Sequence, residues 1–183
     1  MSTTAKRRLA GFAVAAAIFA VDQYVKRLVV GPLGLLREGD KLELLPFFDL
    51  TRTHNRGVSL GMFPAHSTEM QLALIAVTGL IALGVGIWIL REKALGEIAA
   101  LGLVLGGALG NIVDRARFGY VLDYADLHIG EFRPFLVFNV ADAAITIGVL
   151  IVLARALFMR EKPGEPQSQD NPDEPAQDAA ETH

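Results

Sequence analysis

Residues 135–154 read FLVFNVADAAITIGVLIVLA, twenty positions with one acid, Asp142, and one amide, Asn139. Crossing the hydrocarbon core of a bilayer takes about 20 predominantly apolar residues in a helix. The stretch therefore reads as a membrane span. Three others share its character. Residues 9–30 are apolar except for a cluster around Asp22, Lys26 and Arg27, residues 70–90 carry no charge, and residues 94–113 hold a single acid, Glu97. Lipid offers backbone groups no hydrogen-bonding partners, so all four are expected to be helical. The fold expected is an all-α membrane protein, a four-transmembrane-helix bundle.

Composition agrees. Of 183 residues, 52% are hydrophobic, and mean hydropathy is +0.39. The net charge of −3 hides an asymmetry: residues 161–183 hold seven acids and one base, leaving 16 bases and 13 acids for the rest. The chain has no cysteine, which excludes disulfides, a cysteine nucleophile, thiolate zinc sites and thioether haem attachment. Lys6-Arg7-Arg8 ahead of an apolar run resembles the start of a cleavable signal peptide. No small-x-small cleavage site follows, and Asp22-Gln23-Tyr24 stands where one belongs, so the first span is expected to be retained.

Four spans put both termini on one side. Lys6, Arg7, Arg8, Arg91, Lys93, Arg155, Arg160 and Lys162 fall on that side, against nine bases spread over two longer loops on the other; by density the termini are expected in the cytoplasm. Residues 1–8 then form a cytoplasmic N-terminus, 9–158 the membrane-embedded domain, and 159–183 a cytoplasmic acidic tail. That tail holds four of the eight prolines and is expected to be disordered. Gly102, Gly106 and Gly110 recur every four residues on one face of the third span, the spacing of close helix packing. In the outer loops, Lys41–Leu44, Phe48–Thr53 and Tyr120–Ile129 alternate apolar with polar residues. They are expected to form a small extracytoplasmic sheet fed by both loops.

Acids within a bilayer are costly and need a reason to persist. Asp22 has Lys26 one turn on, an i,i+4 pair with a structural explanation. Asn111, Asp114 and Arg115 share a face at the end of span three, where Arg115 either pairs with Asp114 or grips a carbonyl-rich or anionic ligand. Asn139 and Asp142 share a face of span four. Counted from the start of the apolar stretch, Asp142 lies on the order of 10 Å inside it, with no base within one turn. The loop just before it supplies Asp123 and Asp126. Two carboxylates brought together share a proton, and such a pair activates water as an aspartic protease does. A carboxylate without a cation also suits a small proton- or ion-coupled transporter. A third reading is a non-catalytic assembly protein held by the glycine face.

Gly57-Val58-Ser59-Leu60-Gly61 matches the G-x-S-x-G elbow of serine hydrolases but lacks the strand–turn–helix setting that the elbow requires. His54, His66 and His128 show no metal-ligand spacing.

Taken in order, five segments resemble one family: Asp22–Lys26, Asn55–Gly61, Gly106–Arg115, Gly119–Tyr124 and Phe138–Asp142. The ordered set resembles lipoprotein signal peptidase, signal peptidase II, from about residue 9 to 158. The resemblance implies an aspartyl endopeptidase of the bacterial inner membrane that cuts prolipoproteins before a cysteine already carrying diacylglyceryl. It implies Asp123 and Asp142 as the catalytic pair. Asn55, Asn111, Arg115 and Asn139 become substrate-binding or dyad-supporting, while Asp22, Lys26 and Asp114 become structural. The partners implied are the lipid-modified precursor and membrane lipid, with no nucleic acid. The protein is expected to be a monomer without metal or cofactor, its active site near the outer membrane surface.

Overall fold

A computed structural model describes residues 2–57 and 68–158. Its elements in chain order are α1 (Thr3–Val30), β1 (Lys41–Leu45), β2 (Phe48–Asn55), α2 (Thr68–Arg91), α3 (Leu95–Phe118), β3 (Val121–Leu127) and α4 (Val140–Phe158). All four helices are long and apolar enough to cross a membrane. Ser59, His66 and the acidic tail lie outside the described residues.

α3 is the hub. Half of its most apolar window is buried within the protein, against 11% for α2 and 17% for α4. Those two helices keep most of their apolar surface outward, as lipid-facing helices should. The small residues of α3 explain how closely α1 and α4 approach it. A Cβ at Gly102 would lie 2.5 Å from the Gly11 carbonyl oxygen, and one at Gly106 would lie 2.5 Å from that of Ala15, both on α1. Gly107 presses in the same way on Ala141 of α4. The regular glycine face is thus a packing device.

The two ends of the bundle differ. At one end Arg7 donates to the Lys93 carbonyl (3.0 Å) and Arg155 pairs with Glu97 (3.3 Å). The start of α1, the α2–α3 turn and the end of α4 meet there. At the other end sits a three-stranded antiparallel sheet in the order β1-β2-β3. β2 pairs with β3 through Asn55↔Val121, Thr53↔Asp123 and Phe48↔Leu127. Gly119, at φ 75°, ends α3 in the left-handed conformation that turns the chain directly into β3. Val29, Leu35, Leu50, Tyr124 and Ala125 form the apolar core joining the sheet to the bundle.

Both strand-forming loops match the alternation in the sequence. The helix ends do not all match the apolar stretches. α1 starts at Thr3 rather than residue 9, and α3 continues past residue 113 to Phe118. The main difference is at α4, which begins at Val140, although the apolar run begins at 135. Phe138 is instead held extended against β3: its N–H donates to the Ala125 carbonyl (3.0 Å), and its carbonyl accepts from the Ala125 N–H (2.7 Å). Hydropathy cannot distinguish such a bridge from the first turn of a helix. Asp142 consequently stands in the first turn of α4, not two turns within it.

Candidate active site

The start of α4 is fixed by a reciprocal cap. The Asn139 side-chain Oδ1 accepts from the Asp142 N–H (2.9 Å), and Asp142 Oδ2 accepts from the Asn139 N–H (3.2 Å). This is the capping-box arrangement, with Asn and Asp in place of Ser/Thr and Glu/Gln. It locks the Asp142 carboxyl at the positive end of the α4 dipole. Its other oxygen, Oδ1, accepts from Asn111 Nδ2 of α3 (2.8 Å).

Asp123 comes from β3, where strand alternation turns it away from the Leu122 and Tyr124 side chains. It is 2% exposed. Asn139 reaches it as well: Nδ2 donates to Asp123 Oδ1 at 2.6 Å, and more weakly to the Leu122 carbonyl and Asn111 Oδ1, each at 3.3 Å. A side-chain hydrogen bond from Asn55, at the end of β2, completes its surroundings. One asparagine thus touches both carboxylates. Neither makes an ion pair among the described residues. Burial, followed by the nearby negative charge of Asp142, pushes the Asp123 carboxyl up to about 7.

Arg115 does not pair with Asp114. Its Nη2 donates to the Gly57 carbonyl (2.8 Å), and its buried Nε has no hydrogen-bond partner among the described residues. Asp142 and Asp123 both lie within its electrostatic reach.

A second cluster supports the first. Lys26 Nζ lies 2.8 Å from Asp22 Oδ2 and 2.8 Å from Asp114 Oδ2, with all three residues buried. The i,i+4 pair legible in the sequence is therefore half of a triad across α1 and α3. Asp22 Oδ1 accepts from the Ala141 N–H (3.1 Å), satisfying another free donor at the start of α4. Asp114 Oδ2 accepts from the Leu122 N–H (3.2 Å), next to Asp123. Lys26 Nζ also reaches Asn111 Oδ1 (3.5 Å). Each catalytic candidate thus has a neighbour anchored by the triad.

Sequence reasoning passed over Gln23, whose Nε2 donates to Asp114 (2.9 Å) and Asp22 (3.3 Å). An amide within an apolar helix, adjoining an acid, was the available signal. Asp126 is occupied elsewhere, accepting from Thr51 (3.1 Å) and pairing with Arg133 (3.3 Å). His54 and His128 belong to the sheet region: His54 stacks on Tyr120 (3.9 Å between centroids), and His128 Nε2 lies 2.7 Å from Asp49. No cluster of three or more His, Cys, Asp or Glu suited to a metal occurs among the described residues.

Residues 14–158 match the family model described as signal peptidase (SPase) II. The chain is 55% identical over 155 residues to the lipoprotein signal peptidase of Sphingopyxis alaskensis, covering 85% of this chain and 89% of that one. It is 56% identical over 151 residues to that of Rhizorhabdus wittichii, covering 82% and 87%. Among solved structures it resembles a bacterial membrane enzyme determined by the in meso method. There the TM-score is 0.70 at 26% identity, over 85% of this chain and 94% of that one.

Proposed function

The chain belongs to the signal peptidase II family, and from that premise we propose that it is an intramembrane aspartyl endopeptidase acting on prolipoproteins. The observation that carries the reading is the pair of carboxylates that make no ion pair among the described residues, one on β3 and one at the start of α4, both hydrogen-bonded to Asn139. The end of the bundle where bases are densest, at the termini and the short α2–α3 turn, faces the cytoplasm on the positive-inside rule. The sheet and the pair then lie at the outer surface, and residues 9–158 form the peptidase domain.

The chemistry follows from the surroundings of each acid. Asp142 has both oxygens met by N–H donors and sits at a helix N-terminus, so it serves as the base. Asp123, raised to about 7, is about half protonated at neutral pH, and in that protonated form it serves as the acid. Water between them loses a proton to Asp142 as its oxygen attacks the scissile carbonyl carbon, and the carbonyl oxygen takes up the proton of Asp123. Collapse of the tetrahedral intermediate breaks the C–N bond, and the departing nitrogen receives a proton from the pair. Arg115 Nε, buried and without a hydrogen-bond partner among the described residues, is placed to hold a substrate carbonyl. Asn55, Asn111 and Asn139 keep the two acids in register.

Cleavage before a diacylglyceryl-modified cysteine fits a pair at the membrane boundary, because two acyl chains hold the scissile bond at that level. The test is a precursor peptide presented with and without the diacylglyceryl group to the protein in detergent, with products identified by mass. Cleavage on the N-terminal side of the modified cysteine alone is expected. Equal cleavage of the unmodified peptide, or no cleavage with ion flux into vesicles instead, overturns the reading.

A further inference from the structure

A second feature lies on the far side of the Asp22–Lys26–Asp114 triad from the carboxylate pair. A cavity of about 320 Å³ opens between the last turns of α1 and α3 and the sheet. Four bases line it, Lys26, Arg27, Arg52 and Arg117, against one acid, Asp114. That acid is already committed to Lys26 and Gln23. Val30, Phe118 and Leu122 supply an apolar wall.

The positive charge there is poorly compensated. Arg52 is 9% exposed, yet its contacts are neutral: the Leu35 carbonyl (2.9 Å), the Leu36 carbonyl (2.5 Å), the Tyr120 hydroxyl (3.3 Å) and His54 Nε2 (3.1 Å). Burial holds His54 below the usual imidazole range, so it meets Arg52 as a neutral ring. Arg52 makes no ion pair among the described residues; Glu38 lies on the other side of that ring, 3.2 Å from His54 Nδ1. A buried guanidinium without a carboxylate of its own is costly. Arg27 and Arg117 make no ion pair among the described residues. Each stands in the last turn of its helix, where the dipole favours a cation. The dipole accounts for a base at either position but not for two of them sharing a cavity with a buried third.

We propose that this cavity binds the phosphate headgroup of an anionic phospholipid, with Arg27 and Arg117 gripping the phosphate beside Arg52. Guanidinium groups match phosphate oxygens in geometry as well as charge. The apolar wall beside them suits the glycerol and first methylenes of the acyl chains. The site lies at the sheet end of helices long enough to cross a membrane, where headgroups are found. It depends on the membrane fold and not on the peptidase reading.

The full chain in detergent is titrated with short-chain phosphatidylglycerol, with short-chain phosphatidylcholine and with inorganic phosphate, and bound ligand is read by native mass spectrometry. Phosphatidylglycerol is expected to bind about tenfold or more tighter than phosphatidylcholine, whose phosphate is the same but whose choline cation is repelled by the surrounding bases. Arg27→Gln and Arg117→Gln should each lower its affinity several-fold, and the double variant should abolish the preference. Both arginines are exposed, so the variants should fold, with wild-type thermal unfolding as the check. A folded double variant that keeps the preference overturns the site. Inorganic phosphate that binds as tightly, with the same dependence on the two arginines, overturns the lipid headgroup in favour of free phosphate.

Discussion

Replacing Asp123 by Asn should stabilise the fold while abolishing the reaction, and the size of the effect should depend on pH. A buried carboxyl raised from 3.8 to about 7 binds its proton more tightly in the folded chain than in the unfolded one. Between those two values the folded state holds a proton that the unfolded state has lost. Stability therefore falls as pH rises through that window and stays low above it. At 1.36 kcal/mol for each pKa unit, the full cost is about 4 kcal/mol, and about 3 kcal/mol of it develops between pH 5 and pH 8. Asparagine cannot ionise. Its carbonyl can still accept from Asn139 or Asn55, and it carries no charge to oppose that of Asp142. Thermal unfolding of wild type and Asp123→Asn in detergent at the two pH values is the assay. The variant should unfold several degrees higher than wild type at pH 8, with a much smaller gap at pH 5. Parallel curves, with the same difference at both pH values, would refute a proton held on Asp123 by burial and by Asp142.

Two other substitutions test the supporting residues. Lys26→Met leaves Asp22 and Asp114 buried together without their shared cation and should cost about 3–5 kcal/mol, lowering the unfolding midpoint in the same detergent assay; a loss under 1 kcal/mol would show the triad to be dispensable. Asn139→Ala removes the cap of α4 at about 1 kcal/mol and also the link between the two acids. Turnover of a lipidated precursor should then fall far more than stability does, and turnover near wild type would mean that Asn139 does not hold the pair in register.

Much of this fold is legible in the sequence because lipid imposes a crude and reliable rule. Twenty apolar residues in a row must be helical, and four such runs leave little choice of architecture. The sheet is legible for a similar reason, since Lys41–Leu44 and Phe48–Thr53 alternate with period two. The boundary at Asn139 is not legible by hydropathy. Phe135–Phe138 are as apolar as the helix that follows, and only tertiary pairing of Phe138 with Ala125 removes them from it. That pairing moves Asp142 from the interior of an apolar stretch to a helix N-terminus.

The site was legible in part. Asn139 and Asp142 stand three residues apart, and that spacing is a cap as well as a shared face. Asp22 and Lys26 declare their pairing by spacing. Their joint use of Asp114, and the donation of Gln23 to both acids, arise from α1 lying against α3 and have no local signature. Arg115 illustrates the same limit: beside Asp114 in sequence, it turns instead to the Gly57 carbonyl, because Lys26 already holds Asp114.

The most direct measurement is turnover of a diacylglyceryl-modified precursor by folded Asp123→Asn and Asp142→Asn, each made singly. Both should lose at least about a thousandfold in rate, the scale on which removing one member of a catalytic pair acts, with the lipid-modified substrate still bound. Near-normal cleavage by either variant would show that the reaction does not run through these two carboxylates.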